Sequence, residues 1–205
     1  MFKKRRLTKV LSLVVSITGI AVMAGWVFDI NILKSISPAW VSMKFDTALA
    51  FFLSGITIYF IVRAQEGAFD KAQVVLSIVS LTILLIMGIL FFSTLFGIRT
   101  GTEELFVIEA PGQVKTVTPG LPSLPTMFNF ILIACAGILA ILKPLKLLFK
   151  LKVLGLIIGI IGALAVTGYI INAPLLYYYI SGINSAMACH TAILFVLIGI
   201  GLVCL

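Results

Sequence analysis

The 205-residue chain contains one histidine, His190, which follows Cys189 and stands three residues after Met187. Thiol, thioether and imidazole are soft ligands that suit copper. On a helix, Met187, His190 and Thr191 share a face while Cys189 points elsewhere. Met187 and His190 are therefore weak metal candidates, and no resident metal or cofactor is expected. A histidine at a helix end can instead hydrogen-bond to loop backbone or water, or titrate near neutrality as a proton sensor. No HExxH, GxSxG, P-loop or GxGxxG pattern stands in a suitable context. No catalytic set emerges, and an enzyme is the least expected reading.

The remaining candidates are aromatic and acidic residues at the ends of apolar runs. Trp26, Asp29 and Trp40 fall in one connecting segment, and Tyr177 and Tyr178 fall in another. Tryptophan and tyrosine collect at membrane–water boundaries, because one end of each is apolar and the other wet. With His190 they form a candidate ligand-binding cluster. Asp29 and Asp46 could face each other, although acids at such a boundary are commonly just hydrated.

These residues need elements to position them. Hydrophobic residues make up 61% of the chain and charged ones 11%, against roughly 25% charged in soluble domains. A chain this short cannot bury so much apolar surface in its own core, so lipid must be the solvent. This excludes a soluble enzyme and a nucleic-acid-binding domain. The net charge of +8 then needs a membrane explanation first. Cys135, Cys189 and Cys204 all lie in apolar runs, so no disulfide framework is expected.

A spanning helix needs about 20 mostly apolar residues. Six runs approach that length: Thr8–Phe28, Phe45–Val62, Gln73–Gly97, Thr126–Leu142, Val153–Ile171 and Ser185–Leu205. No stretch alternates as a membrane strand would. With the N-terminus inside, eleven lysines and arginines fall on the inner side and four on the outer, which predicts a cell-membrane protein with both termini cytoplasmic. The first run is longer than a usual signal-peptide core and reads as a signal anchor.

The runs repeat. Residues 43–56 align with residues 187–200 at a shift of 144, with seven identities in fourteen positions: Met43, Thr47, Ala48, Phe51, Leu53, Gly55 and Ile56. A weaker middle copy starts at Thr126, with Phe130 and Leu132 in step. The expected fold is all-α: one membrane domain over residues 1–205, with three like-oriented helix hairpins at 8–63, 73–143 and 153–205. In the longest outer loop, two β-prone runs flank Pro111-Gly112, which predicts a small β-hairpin about a type II turn. Gly155, Gly159 and Gly162 would let another helix approach closely, within the chain or in a homodimer. The basic, apolar segment Lys143–Lys152 suits contact with anionic membrane lipid.

Gly25-Trp26-Val27-Phe28-Asp29-Ile30, followed by Ser37-Pro38-Ala39-Trp40-Val41-Ser42-Met43-Lys44 and Thr47-Ala48-Leu49, resembles the N-terminal multi-span region of prokaryotic membrane sensor histidine kinases and related PAS or GGDEF proteins. Glu103-Glu104-Leu105-Phe106, and Tyr177-Tyr178-Tyr179 leading into Met187 and Thr191, fit the same region. The resemblance implies a sensory input module of a two-component system. Its last helix would relay a stimulus to a cytoplasmic kinase or PAS output domain lying beyond residue 205. His190, in a membrane helix, would not be the phosphoacceptor. The alternative readings are a structural or accessory subunit of a larger membrane complex and a small carrier of apolar compounds. The near absence of ionisable residues inside the runs weighs against ion or proton transport.

Overall fold

The computed structural model describes residues 2–205 and, among them, is all-helical with no strands. Seven α-helices follow one another: α1 (Phe2–Val27), α2 (Asn31–Lys34), α3 (Phe45–Gln65), α4 (Phe69–Phe96), α5 (Leu124–Leu142), α6 (Leu147–Ile170) and α7 (Cys189–Val203). Short 3-10 turns at Thr102–Glu104 and Pro174–Tyr177 punctuate the loops.

Five helices, α1, α3, α4, α5 and α6, are long and apolar enough to cross a membrane. The expected sixth run, from Ser185, is helical only over the 15 residues of α7. The reason lies in the backbone ahead of it. Ala186 donates its N–H to the Lys115 carbonyl at 3.0 Å, and Met187 donates to that of Tyr177 at 2.9 Å. These bonds fasten the approach to the loops, and Ala188 is extended at φ −64°, ψ 148°, so the helix begins at Cys189 although residues 185–188 are already buried.

Consecutive long helices pair as α1 with α3, α4 with α5, and α6 with α7, and α3 also touches α4, α5 and α7. Burial follows this arrangement. Over their most apolar stretches, α3 and α5 are 61% and 50% buried, against 28% for α1 and for α6. Exposed Ile17, Ile78, Leu81 and Ile160 show where lipid would lie. At the centre, the rings of Phe51, Phe130 and Phe195 meet one another at 4.8–5.1 Å between centroids. Each is fully buried.

Small residues set the helix spacing within two of the pairs. A Cβ on Gly19 would stand 2.6 Å from the Ala48 carbonyl oxygen, and one on Gly162 would stand 2.7 Å from that of Ala192. Likewise a Cβ on Gly55 would meet the Ser12 carbonyl at 2.4 Å, and one on Gly199 would meet that of Gly155 at 2.7 Å. The same loop geometry recurs. Asp29 and Asn172 both take left-handed φ, near +55°, and each lets the next residue donate back, Ile30 to Gly25 and Ala173 to Gly168, both at 2.8 Å. This is the Schellman closure of a helix end.

The expected β-hairpin is absent. Residues 105–123 run as turns and extended backbone. The turn at Pro111-Gly112 is there, with Gly112 at φ +84°, but the flanking runs are held by side chains instead of by each other. Glu109 is bound by Lys44 and Gly120, and Lys115 by Tyr177.

Candidate functional site

The end of the bundle that carries Trp26 and Trp40 holds the buried charged residues Lys34, Lys44, Asp46, Glu103 and Glu109. Trp26 closes α1 and donates its indole N–H to the Met43 carbonyl at 2.8 Å. Lys34, on the short α2, is buried, with its ammonium 4.9 Å from the Trp26 ring centre. It also pairs with Asp29. That pairing holds the Asp29 carboxyl below its ordinary range, first through the hydrogen bond and then through the charge. Asp29 itself projects into solvent.

Trp26, Lys34, Trp40 and Ser42 line an open cleft of about 530 Å³, closed on one side by Gln113 and Val114 of the long loop. The cleft therefore joins the exit of α1, the approach to α3 and the second loop. Its walls offer two indoles and one ammonium, which suits an amphipathic small molecule with a flat apolar body.

Trp40 continues inward as an aromatic ladder. Its ring lies 5.0 Å from Tyr169, which stacks on Tyr177 at 4.4 Å. Tyr169 donates to the Met187 carbonyl at 2.8 Å, and Tyr177 is bound through its hydroxyl by Lys115 at 2.6 Å. Tyr177 is buried behind this ladder and does not line the cleft. Tyr178 turns the other way, donating to the Ile161 carbonyl of α6 at 3.0 Å. Burial pushes its hydroxyl pKa up. His190 sits in the first turn of α7 with both ring nitrogens buried and unpartnered. Of the six cluster residues, the structure thus gathers Trp26 and Trp40 on the cleft, with Asp29 joined through Lys34. Tyr177 lies behind them, and Tyr178 and His190 stand apart.

A second polar centre lies beside the first. Lys44 and Glu109 form a buried ion pair at 2.6 Å, and Glu109 also accepts the Gly120 N–H at 2.6 Å. Thr116 accepts from Lys44 at 2.9 Å. Burial, only partly offset by Glu109, holds the Lys44 ammonium below the ordinary lysine value. Asp46 and Glu103 flank the pair in a small pocket of about 10 Å³. Asp46 is buried there, while Asp29 is solvent-exposed, so the two do not form an acidic pair. Among the described residues, no group of three or more His, Cys, Asp and Glu side chains has the geometry to hold a metal ion.

Lys34, Lys44, Glu103, Glu109, Lys115 and Tyr169 carry much of this geometry and were not singled out by type or spacing. One signal is in the sequence: the expected outer side carries only four lysines and arginines, among them Lys34, Lys44 and Lys115, and charges near lipid tend to pair. Comparison with family models, curated proteins and solved structures finds no significant match to this chain.

Proposed function

We propose that the chain is a membrane sensory module whose stimulus is a small amphipathic molecule held in the cleft between Trp26, Lys34 and Trp40. The observation that carries this reading is the cleft's position. Its walls belong to the exit of α1, the approach to α3 and the long loop, so an occupant touches three elements at once. A ligand shifts a packing equilibrium only by its unequal affinity for the two packings, and a site shared between elements offers that inequality.

In this reading the bundle is six spans in three like-oriented hairpins, with the cleft outside and both termini cytoplasmic. Supporting the repeat are the matched close approaches of Gly19 and Gly162 and of Gly55 and Gly199, the matched caps at Asp29 and Asn172, and the central phenylalanines. Helix α7 packs on α6, α1 and α3, which makes it the natural relay towards a cytoplasmic output domain.

The test is a fusion of the chain, through Leu205, to a histidine-kinase output domain in native membranes. Replacing Trp26, Lys34 and Trp40 together by Ala, Met and Ala should change autophosphorylation. Inserting one to four alanines after Leu205 should make output cycle with the helical repeat of about 3.6 residues. Output that ignores both changes would sink the sensory reading and leave an accessory subunit as the stronger one.

A further inference from the structure

Beside the cleft, and independent of it, the pocket at the head of α3 contains two acids with no visible counter-charge. Asp46 and Glu103 are 3% and 7% exposed. Among the described residues, Oδ2 of Asp46 and Oε2 of Glu103 are buried without a hydrogen-bond partner, and both residues line the same cavity of about 10 Å³. A cavity of that size has room for one water molecule at most.

The other residues that line this pocket are accounted for. From the head of α3 comes Lys44, but its ammonium is taken by Glu109 and Thr116. From the loop comes Glu109, with one oxygen on Lys44 and the other on Gly120. Trp26 of α1 is uncharged, as are Phe45, Val107 and Gly120 around the rest of the wall. Nearby cations are engaged elsewhere, Lys34 with Asp29 and Lys115 with Tyr177. Two ionised carboxylates would thus repel each other in a largely buried site, and such pairs retain a proton. Two free carboxylate oxygens fall far short of the six to eight that a calcium ion takes.

We propose that Asp46 and Glu103 form a proton-binding site that seats the long loop on the head of α3. One proton from solution is shared between Asp46 Oδ2 and Glu103 Oε2, one oxygen donating and the other accepting. The charge that remains is favoured by the N-terminus of α3, where Asp46 stands in the first turn. Glu103 is held tightly at this position: a Cβ on Gly120 would lie 2.2 Å from the Glu103 carbonyl oxygen, and Gly120 has φ +72°. Loss of the proton places two like charges together and loosens the loop from α3.

The experiment is infrared difference spectroscopy on the full chain in lipid nanodiscs, titrated with acid and base in sodium-free and sodium-containing buffer. A protonated, buried carboxyl band at neutral pH is expected, insensitive to sodium and lost in both Asp46→Asn and Glu103→Gln. Amide exchange of residues 102–121, corrected for the intrinsic rate, should quicken about tenfold when the pair ionises, one pKa unit's worth of coupling, and should lose that pH dependence in Glu103→Gln. Because glutamine keeps both size and hydrogen bonding, that variant keeps the test valid if Asp46→Asn does not fold. Two ionised carboxylates at neutral pH would overturn the proposal. So would a carboxyl band that appears only when sodium or divalent cations are removed, which would identify a metal cation as the occupant.

Discussion

Lys44 and Glu109 are 65 residues apart in sequence, yet their charged atoms stand 2.6 Å from each other with side chains 4% and 2% exposed. This pair fastens the long loop to the start of α3. Removing one partner leaves the other charge buried and uncompensated, which typically costs about 3–5 kcal/mol. Lys44→Met and Glu109→Leu should each lower the melting temperature in detergent sharply, while the double variant recovers most of the loss. Equal, additive losses would mean that the two side chains do not act as a pair.

His190 makes the opposite kind of prediction. Neither of its ring nitrogens has a partner, and each unsatisfied buried polar group costs about 1–3 kcal/mol. His190→Leu should be neutral or stabilising by about 1 kcal/mol or more, measured by thermal unfolding. A strongly destabilised variant would show that the imidazole holds a bond of its own, and the metal and sensor readings of this residue would regain interest.

At the bundle centre, Phe51→Ala should cost about 3–5 kcal/mol. The Phe51→Ala/Phe195→Ala double variant should deviate from additivity by about 0.5–3 kcal/mol, as contacting residues do. Strict additivity would mean that the rings do not support one another.

The helix pairs give a sharper contrast. Gly199→Val would drive a Cβ to 2.6 Å from the Gly159 Cα, whereas nothing lies within 4 Å of a Cβ at Gly88. The first should cost about 1–3 kcal/mol or more by overpacking, and Gly88→Ala should be tolerated. Comparable losses at both sites would undo the close-approach account of α6 and α7.

Much of this architecture could be read from residue types alone. Apolar runs marked the long helices. Trp26 could be placed at a helix end, and Trp40 in the connection that follows, because indoles favour such boundaries. The loop could not be read. Val107 and Val117 are β-prone, but propensity was overridden by side chains reaching to distant partners, Glu109 to Lys44 and Lys115 to Tyr177. No periodicity encodes such contacts. Nor did Ser185 reveal that the four residues before α7 would stay outside the helix, fastened to a loop carbonyl at Lys115.

That carbonyl has a consequence for engineering. Ala186, from the approach to α7, hydrogen-bonds to Lys115, from the loop between α4 and α5, so the main chains of two hairpins are stitched together where they leave the bundle. A chimera that exchanges the last hairpin alone must rebuild that main-chain contact across its new boundary. Crossovers that carry residues 113–117 together with the last hairpin are the ones expected to assemble.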